Sequence, residues 1–439
     1  MSFEWVTSSL LDHYEVRSGL SKPATDFGSG YPFLTFKDVF YNYFTPELLG
    51  DFVQATEKER EGCSILRGDV FLTRTSETMH ELGMSCVALR DYKDATFNGF
   101  CKRLRPKPDS DLLPEYVGYY LRSPRFRQAV SALSTMSTRA SLNNEMIGRL
   151  EISFPSRTAQ ARISKILKSL DDRITLLRET NTTLEAIAQA LFKSWFVDFD
   201  PVRAKTEGRQ PEGVDATTAA LFPDSFEESE LGLVPKGWHW AALADAYEMN
   251  PSRKLKKGEV APYLDMSSAP TSGHCAEAYI QRETGSGAKF TNGDTLLARI
   301  TPCLENGKSA FVDFLVNGQN GWGSTEFLVL RPKAPLPEYH GYLLARHTAF
   351  REFAIQSMSG TSGRQRIQND VLGRFFLAIP TASVTDAFAE LVTPIQITIT
   401  ANHKQAQTLT QLRDTLLPRL ISGQLRLPEA EAMVLGAKA

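Results

Sequence analysis

Several things are scarce in this chain of 439 residues. It holds five cysteines, Cys63, Cys86, Cys101, Cys275 and Cys303, with no close pair among them. Neither a disulfide framework nor a zinc site of ordinary spacing is supported. No run of about 18 apolar residues could span a bilayer, and "MSFEWVTSSLLDHYEVRSG" has neither the basic start nor the apolar stretch of a secretory signal, so no membrane role and a cytoplasmic location are expected. Net charge is −2, too little of either sign for a chain that grips nucleic acid by bulk electrostatics alone.

Catalytic signatures are missing as well. "ENGKS" (305–309) suggests a phosphate loop, but the position five residues before Gly307 is Pro302. "FGSG" and "TGSG" lack the full dinucleotide fingerprint, and the seven histidines include no pair at metal-ligand spacing. No Asn/Asp-Pro-Pro-aromatic stretch of an amino-methyltransferase is present, and "SGTSG" (359–363) reads as a loop rather than a strained serine elbow. The chain is expected not to be an enzyme and to bind no cofactor or metal.

What the sequence does contain is itself, twice. "GRLEISFP" (148–155) returns as "GRFFLAIP" (373–380), 225 residues later. "EYVGYYLRSPRFRQAVSALSTMS" (115–137) matches "EYHGYLLARHTAFREFAIQSMS" (338–359), and "RGDVFLTRTSETMHELGMSCVAL" (67–89) matches "NGDTLLARITPCLENGKSAFVDF" (292–314). A duplicated module of mixed strand and helix, each α+β, follows.

After each copy comes a helical heptad seam. Ile163, Leu167, Leu170, Ile174, Leu177, Asn181, Leu184, Ala188, Leu191 and Trp195 alternate steps of four and three; adding 225 gives Phe388, Val392, Ile395, Ile399, Asn402, Ala406, Leu409, Arg413, Leu416 and Leu420. Ten layers span about 50 Å, too long for one face of a small domain, which predicts that the two helices pair. Asn181 and Asn402 are not repeat equivalents, since 402 − 225 = 177 is leucine. An antiparallel pair turned about position 179 sets them opposite each other, whereas a parallel pair leaves both amides alone. Between the first helix and the second module, residues 198–238 are Pro- and Gly-punctuated and read as a linker running back along that helix.

Equivalent polar loops recur in both copies: "LTRTSE" (72–77) with "LARITP" (297–302), and "MSTRASLNN" (136–144) with "MSGTSGRQRIQND" (358–370). Arg, Gln, Asn, Ser and Thr read base edges, and Lys positions on phosphates. One basic loop alone is an ordinary solvated loop; recurrence at matching positions argues for a DNA face. The candidates are Lys22, Arg74, Thr75, Ser137, Thr138, Arg139, Lys254, Arg299, Thr301, Ser324, Thr325, Ser362, Arg364, Gln365 and Arg366. A second apolar strip flanks the seam, comprising Ile166, Ile187, Phe192, Leu391, Leu412 and Leu417 with Phe196 and Phe199, and is a candidate docking surface for partner helices.

The order of parts resembles the DNA-specificity subunit of type I restriction-modification systems. The resemblance is carried by "LDDRITLLRETNTTLEAIAQALFKSWFVDFDPV" (170–202), "FPDSF" and "SELGLVPKGW" (222–238), "GWGSTEFLVLRP" (321–332), "SGTSGRQRI" (359–367) and "LRDTLLPRLISGQLRL" (412–427), and covers nearly the whole chain. It implies an α+β fold with two target-recognition domains related by a pseudo-twofold axis and separated by two long antiparallel coiled-coil helices. On that plan residues 1–154 and 236–379 are the recognition domains, 155–197 and 380–424 the helices, 198–235 the linker and 425–439 a tail. The partners implied are double-stranded DNA with a bipartite target, two methyltransferase subunits, and restriction/translocase subunits in the full complex. S-adenosylmethionine and ATP with Mg would be used by those subunits, not by this chain. A coiled-coil adaptor would explain the helices but not the repeated loops, and a fused enzyme would need a catalytic constellation that the sequence does not offer.

Overall fold

The computed structural model describes residues 4–76, 81–133, 140–316, 318–361 and 363–438. Two helices of 40 residues stand out, Arg157–Phe196 and Ala382–Ile421. The first contains neither glycine nor proline; the second persists through Pro394 and Pro418. Isolated helices gain little from propensity in water, so their seams must be buried for them to hold. The chain folds as two compact units, Met1–Ile174 with Gln407–Ala439, and Thr175–Ala406, so each unit takes one end of each helix.

In the first unit a four-stranded antiparallel sheet runs Tyr14–Ser18, Cys101–Pro106, Val70–Thr73, Ser85–Val87 in spatial order. A smaller sheet joins Asp51–Val53, Phe27–Leu34 and Thr96–Phe97, the last pair parallel. Phe71 and Phe97, both fully buried with ring centroids 5.0 Å apart, centre a core that includes Leu34, Val39, Ile65 and Ala95. Strand Val6–Ser9 pairs antiparallel with Glu151–Phe154, the repeated octet, immediately before the long helix.

The second unit has the same plan. Its first sheet runs Tyr247–Met249, Phe327–Pro332, Thr295–Ala298, Ser309–Phe311, and its second, Ile280–Glu283, Val260–Leu264, Gly321–Gly323, Lys289–Phe290, has one strand more than the three-stranded sheet of the first unit. His239–Ala242 pairs with Phe376–Ile379, the second octet. The repeat extends to single residues. Tyr14 pairs with Pro106 and Tyr247 with Pro332 at the matching sheet edge. The Gly-Asp turns bury Asp69 and Asp294 completely. Each carboxylate accepts from a backbone amide three residues before it, Leu66 or Thr291, at 2.8 Å. Each is also neutralised from the neighbouring strand, by Arg105 at 2.6 Å and by Arg331 at 3.4 Å, with Arg253 adding a bond of 2.7 Å in the second unit. A buried carboxylate is tolerated only with such partners.

Both units bury their share of the seam. In the first, Ile163, Leu167, Leu170, Ile174, Leu409, Leu416 and Leu420 are at most 3% exposed; in the second, Leu177, Ala188, Trp195, Phe388, Val392, Ile399 and Ala406 are at most 5% exposed. Burial of each large aliphatic side chain stabilises by about 1.5–3 kcal/mol. Within the second unit the amide of Asn402 donates to Asn181 Oδ1 at 2.9 Å, and the rings of Trp195 and Phe388 lie 5.6 Å apart. Residue numbers rise along one helix as they fall along the other, so the pair is antiparallel, with the two asparagines opposed as the sequence predicts. In the first unit Arg413, a seam position, donates to Asp171 at 2.7 Å.

Two stretches differ from expectation. The linker contains helices Asp200–Thr206 and Ala216–Ala220 and a hairpin of Phe226–Ser229 with Gly232–Pro235. Its Phe199, Val202, Phe222 and Val234 enter the core of the second unit. Each element is too short to show a period, which is why turn residues alone were legible. The tail forms helix Leu427–Lys438, burying Leu427, Ala430 and Val434 and pairing Glu431 with Arg162 at 2.9 Å.

Candidate nucleic-acid interface

In the second unit, three segments distant in sequence meet at one edge. An isolated antiparallel bridge joins Ile300 to Arg366, and another joins Ser359 to Arg366, across the turn at Gly360, whose φ of +129° suits glycine. Around it Thr301 N donates to Gln365 O at 3.0 Å, Gln365 N to Thr301 Oγ1 at 3.1 Å, Ile367 N to Arg299 O at 3.0 Å, and Arg299 N to Glu326 O at 2.9 Å. Side chains are fixed too. Arg366 donates through Nε to Glu326 Oε2 at 2.9 Å and through Nη2 to Oε1 at 2.6 Å; Arg299 Nη2 donates to Gln368 Oε1 at 3.1 Å. The bonds from Arg366 come first in holding the Glu326 carboxyl below its ordinary range, with the charge of Arg299 adding to the effect, and Arg366 is raised in turn. Ser324 Oγ accepts from Glu326 N at 3.2 Å, placing the "GSTEF" turn beside the cluster.

The first unit builds the same junction at the same offset. Thr75 pairs with Ser141, each 225 before Ile300 and Arg366; Leu142 N donates to Arg74 O at 2.7 Å and Arg74 N to Phe100 O at 2.8 Å. Lys102 lies close enough to Arg74 that repulsion adds to burial in lowering its ammonium below the ordinary lysine range.

Of the residues singled out by sequence, the structure therefore brings together Arg299, Thr301, Ser324, Gln365 and Arg366 in one unit, and Arg74 and Thr75 with Ser141 in the other. Thr325 and Arg364 are exposed beside the first group. Ser137, Thr138, Arg139 and Ser362 lie outside the described residues. Lys254 is exposed on another segment, next to Asn320, whose amide donates to its carbonyl. Lys22 is not a free cation: it is paired with Glu59 at 2.9 Å and Asp26 at 3.8 Å. Sequence reasoning missed Glu326 and its counterpart Phe100, which is 60% exposed. They hold equivalent places but share no chemistry, so a search for repeated residue types passes over both.

The flanking apolar strip is largely consumed by the chain's own modules, which corrects the docking expectation. Phe192 packs on His340 and His347, Phe196 on Phe388, His340 and Trp238, and Phe199 on Trp238. Ile166 and Leu417 are 7% and 3% exposed. Ile187 and Leu391 remain open, at 46% and 44%, and Leu412 is half-buried. Among the described residues no group of His, Cys, Asp and Glu could hold a metal ion, and no helix is long and apolar enough to cross a membrane.

Comparison with known proteins agrees with this architecture. Residues 4–186 match the family described as the type I restriction modification DNA specificity domain. The chain is 24% identical to the specificity subunit of type I restriction enzyme MjaIX from Methanocaldococcus jannaschii, over 97% of this chain and 94% of that one. It is 25% identical to the HindI specificity subunit of Haemophilus influenzae, over 73% and 79%. The crystal structure of the S subunit of a type I restriction-modification system from M. genitalium shares the fold, with a TM-score of 0.56 over 95% of this chain and 96% of that one at 13% identity. A duplicated α+β module on a pair of 40-residue helices is thus similar, along nearly its entire length, to the specificity subunits of type I restriction enzymes.

Proposed function

We propose that this chain is the specificity subunit of a type I restriction-modification system, that it reads a bipartite duplex target, one half-site per module, and that the helix pair sets the gap between them. The observation that carries the reading is the bridge of Thr75 to Ser141 and of Ile300 to Arg366, one junction built twice at an identical offset. Each junction gathers guanidinium, amide and hydroxyl groups, the donors and acceptors that recognise base edges and phosphates. Because the side chains differ between copies, the half-sites can differ and the target need not be palindromic. Two methyltransferase subunits dock along the helices, where Ile187, Leu391 and Leu412 keep apolar surface open. Restriction/translocase subunits join in the full complex. S-adenosylmethionine and ATP with Mg act on those partners, while this chain supplies the address.

The test is methylation of a random duplex library by this chain with its modification partner, followed by sequencing of the methylated pool. Two short motifs at a constant separation are expected. A single uninterrupted motif, or none, would overturn the reading. Charged residues at Ile187 and Leu391 together should reduce the two-to-one complex on size-exclusion chromatography.

A further inference from the structure

Arg366 is held in an unusual way for a residue at a surface edge. Glu326 engages Nε and one hydrogen of Nη2, so the side edge of the guanidinium is occupied while the end edge, formed by Nη1 and the second hydrogen of Nη2, is left by this grip. The side chain is 40% exposed and Glu326 24%. The backbone beneath is fixed on both flanks by the bridges to Ile300 and Ser359. A flexible arginine loses rotamer entropy on binding; one already gripped by a carboxylate has lost most of it beforehand. The end edge of a guanidinium offers two parallel N–H groups, the complement of O6 and N7 of guanine in the major groove.

We propose that Arg366, braced by Glu326, reads a guanine in the half-site of the second module. The inference rests on the DNA-reading function above and deepens it. Arg299 and Gln368, bonded to each other beside Glu326, close the flank of the cluster. Among the described residues the brace belongs to this module alone. The equivalent positions in the first module are Ser141 and Phe100, which provide no guanidinium and no carboxylate, so the base pair met there is read by other means. Glu326 is a positioning residue; Arg366 is the group that touches the base.

The experiment compares library-derived motifs for complexes carrying the wild-type chain, Arg366→Lys, Arg366→Gln and Glu326→Gln. Lysine keeps the charge but loses the fork, so R366K should retain affinity for DNA in general while preference for guanine at one position falls about 5- to 150-fold. E326Q should weaken the same position less. The other half-site should stay unchanged in all of them, which also reports that the complexes are assembled. On the wild-type protein, 7-deazaguanine at that position should weaken binding without any change to the fold. A uniform loss across sequences with a shallower salt dependence would make Arg366 a phosphate contact and overturn the proposal. So would full guanine discrimination by R366K, or indifference to 7-deazaguanine at every guanine of both half-sites. A wild-type complex that yields no motif at all would instead defeat the DNA-reading function itself.

Discussion

His340 sits under Phe192 and Phe196 and is 1% exposed, its Nδ1 bonded to the Tyr247 hydroxyl. Burial holds the imidazole neutral down to about 3, against an ordinary 6.5. The unfolded chain therefore takes up a proton below pH 6.5 that the folded chain refuses. Stability is full above 6.5 and declines as pH falls towards 3, by about 2 kcal/mol at pH 5. Urea unfolding of the wild type and of His340→Phe between pH 7 and 5 should show a loss in the first and a flatter profile in the second. Equal slopes would place the acid sensitivity elsewhere, for instance at His347 or His403, both also lowered by burial. None of this was legible in sequence. The repeat equivalent of His340 is Val117, and the aromatic cover comes from a helix far away along the chain. The two buried Asp residues were better signposted, because a Gly-Asp turn before an apolar strand appears twice and a turn carboxylate caps its own backbone.

Heptad spacing of the long helices, by contrast, was readable to the residue. A seam is a local pattern, and steps of three and four survive whatever packs outside it. Its polar layer gives a sharp expectation. Asn402 donates to Asn181, whose own amide donates to Ile399 O at 2.9 Å. Replacing Asn181 by leucine strands the Asn402 amide, and replacing Asn402 leaves Asn181 Oδ1 without its donor; either should cost on the order of 1–3 kcal/mol, nearer the lower bound since both are partly exposed. The double replacement should recover most of that loss, and thermal unfolding of the two single variants and the double variant tests it; additive losses would mean the amides do not act as a pair. The flanking strip was read less well. Ile166, Phe192 and Leu417 carry the same period whether a partner or the chain's own module covers them, and only the tertiary fold decides. The short elements inside the linker and tail are illegible for the opposite reason, since elements of four to twelve residues hold too few turns to display a period.

At the scale of the molecule, duplication was the most legible property, because an offset of 225 recurs in loops, strands and seams alike. It frames a mechanical expectation. If the helices space the half-sites, four residues inserted at equivalent points of both should add about 6 Å, one to two base pairs of gap. Methylated-library sequencing would report the new spacing, and an unchanged gap in a complex that still methylates would remove the helices from that role. The division of the chain carries a further consequence for its biosynthesis. The second unit is one uninterrupted segment, Thr175–Ala406, whereas the first is completed by Gln407 onwards, which brings Arg413 to Asp171 and Glu431 to Arg162. Domains generally fold in the order in which they leave the ribosome. Here that order is inverted: the unit begun first must wait for Gln407 onwards, while the unit begun second is complete at Ala406. Premature termination anywhere before Gln407 therefore leaves the amino-terminal unit without the segment that completes it, although every residue of its recognition module has been made.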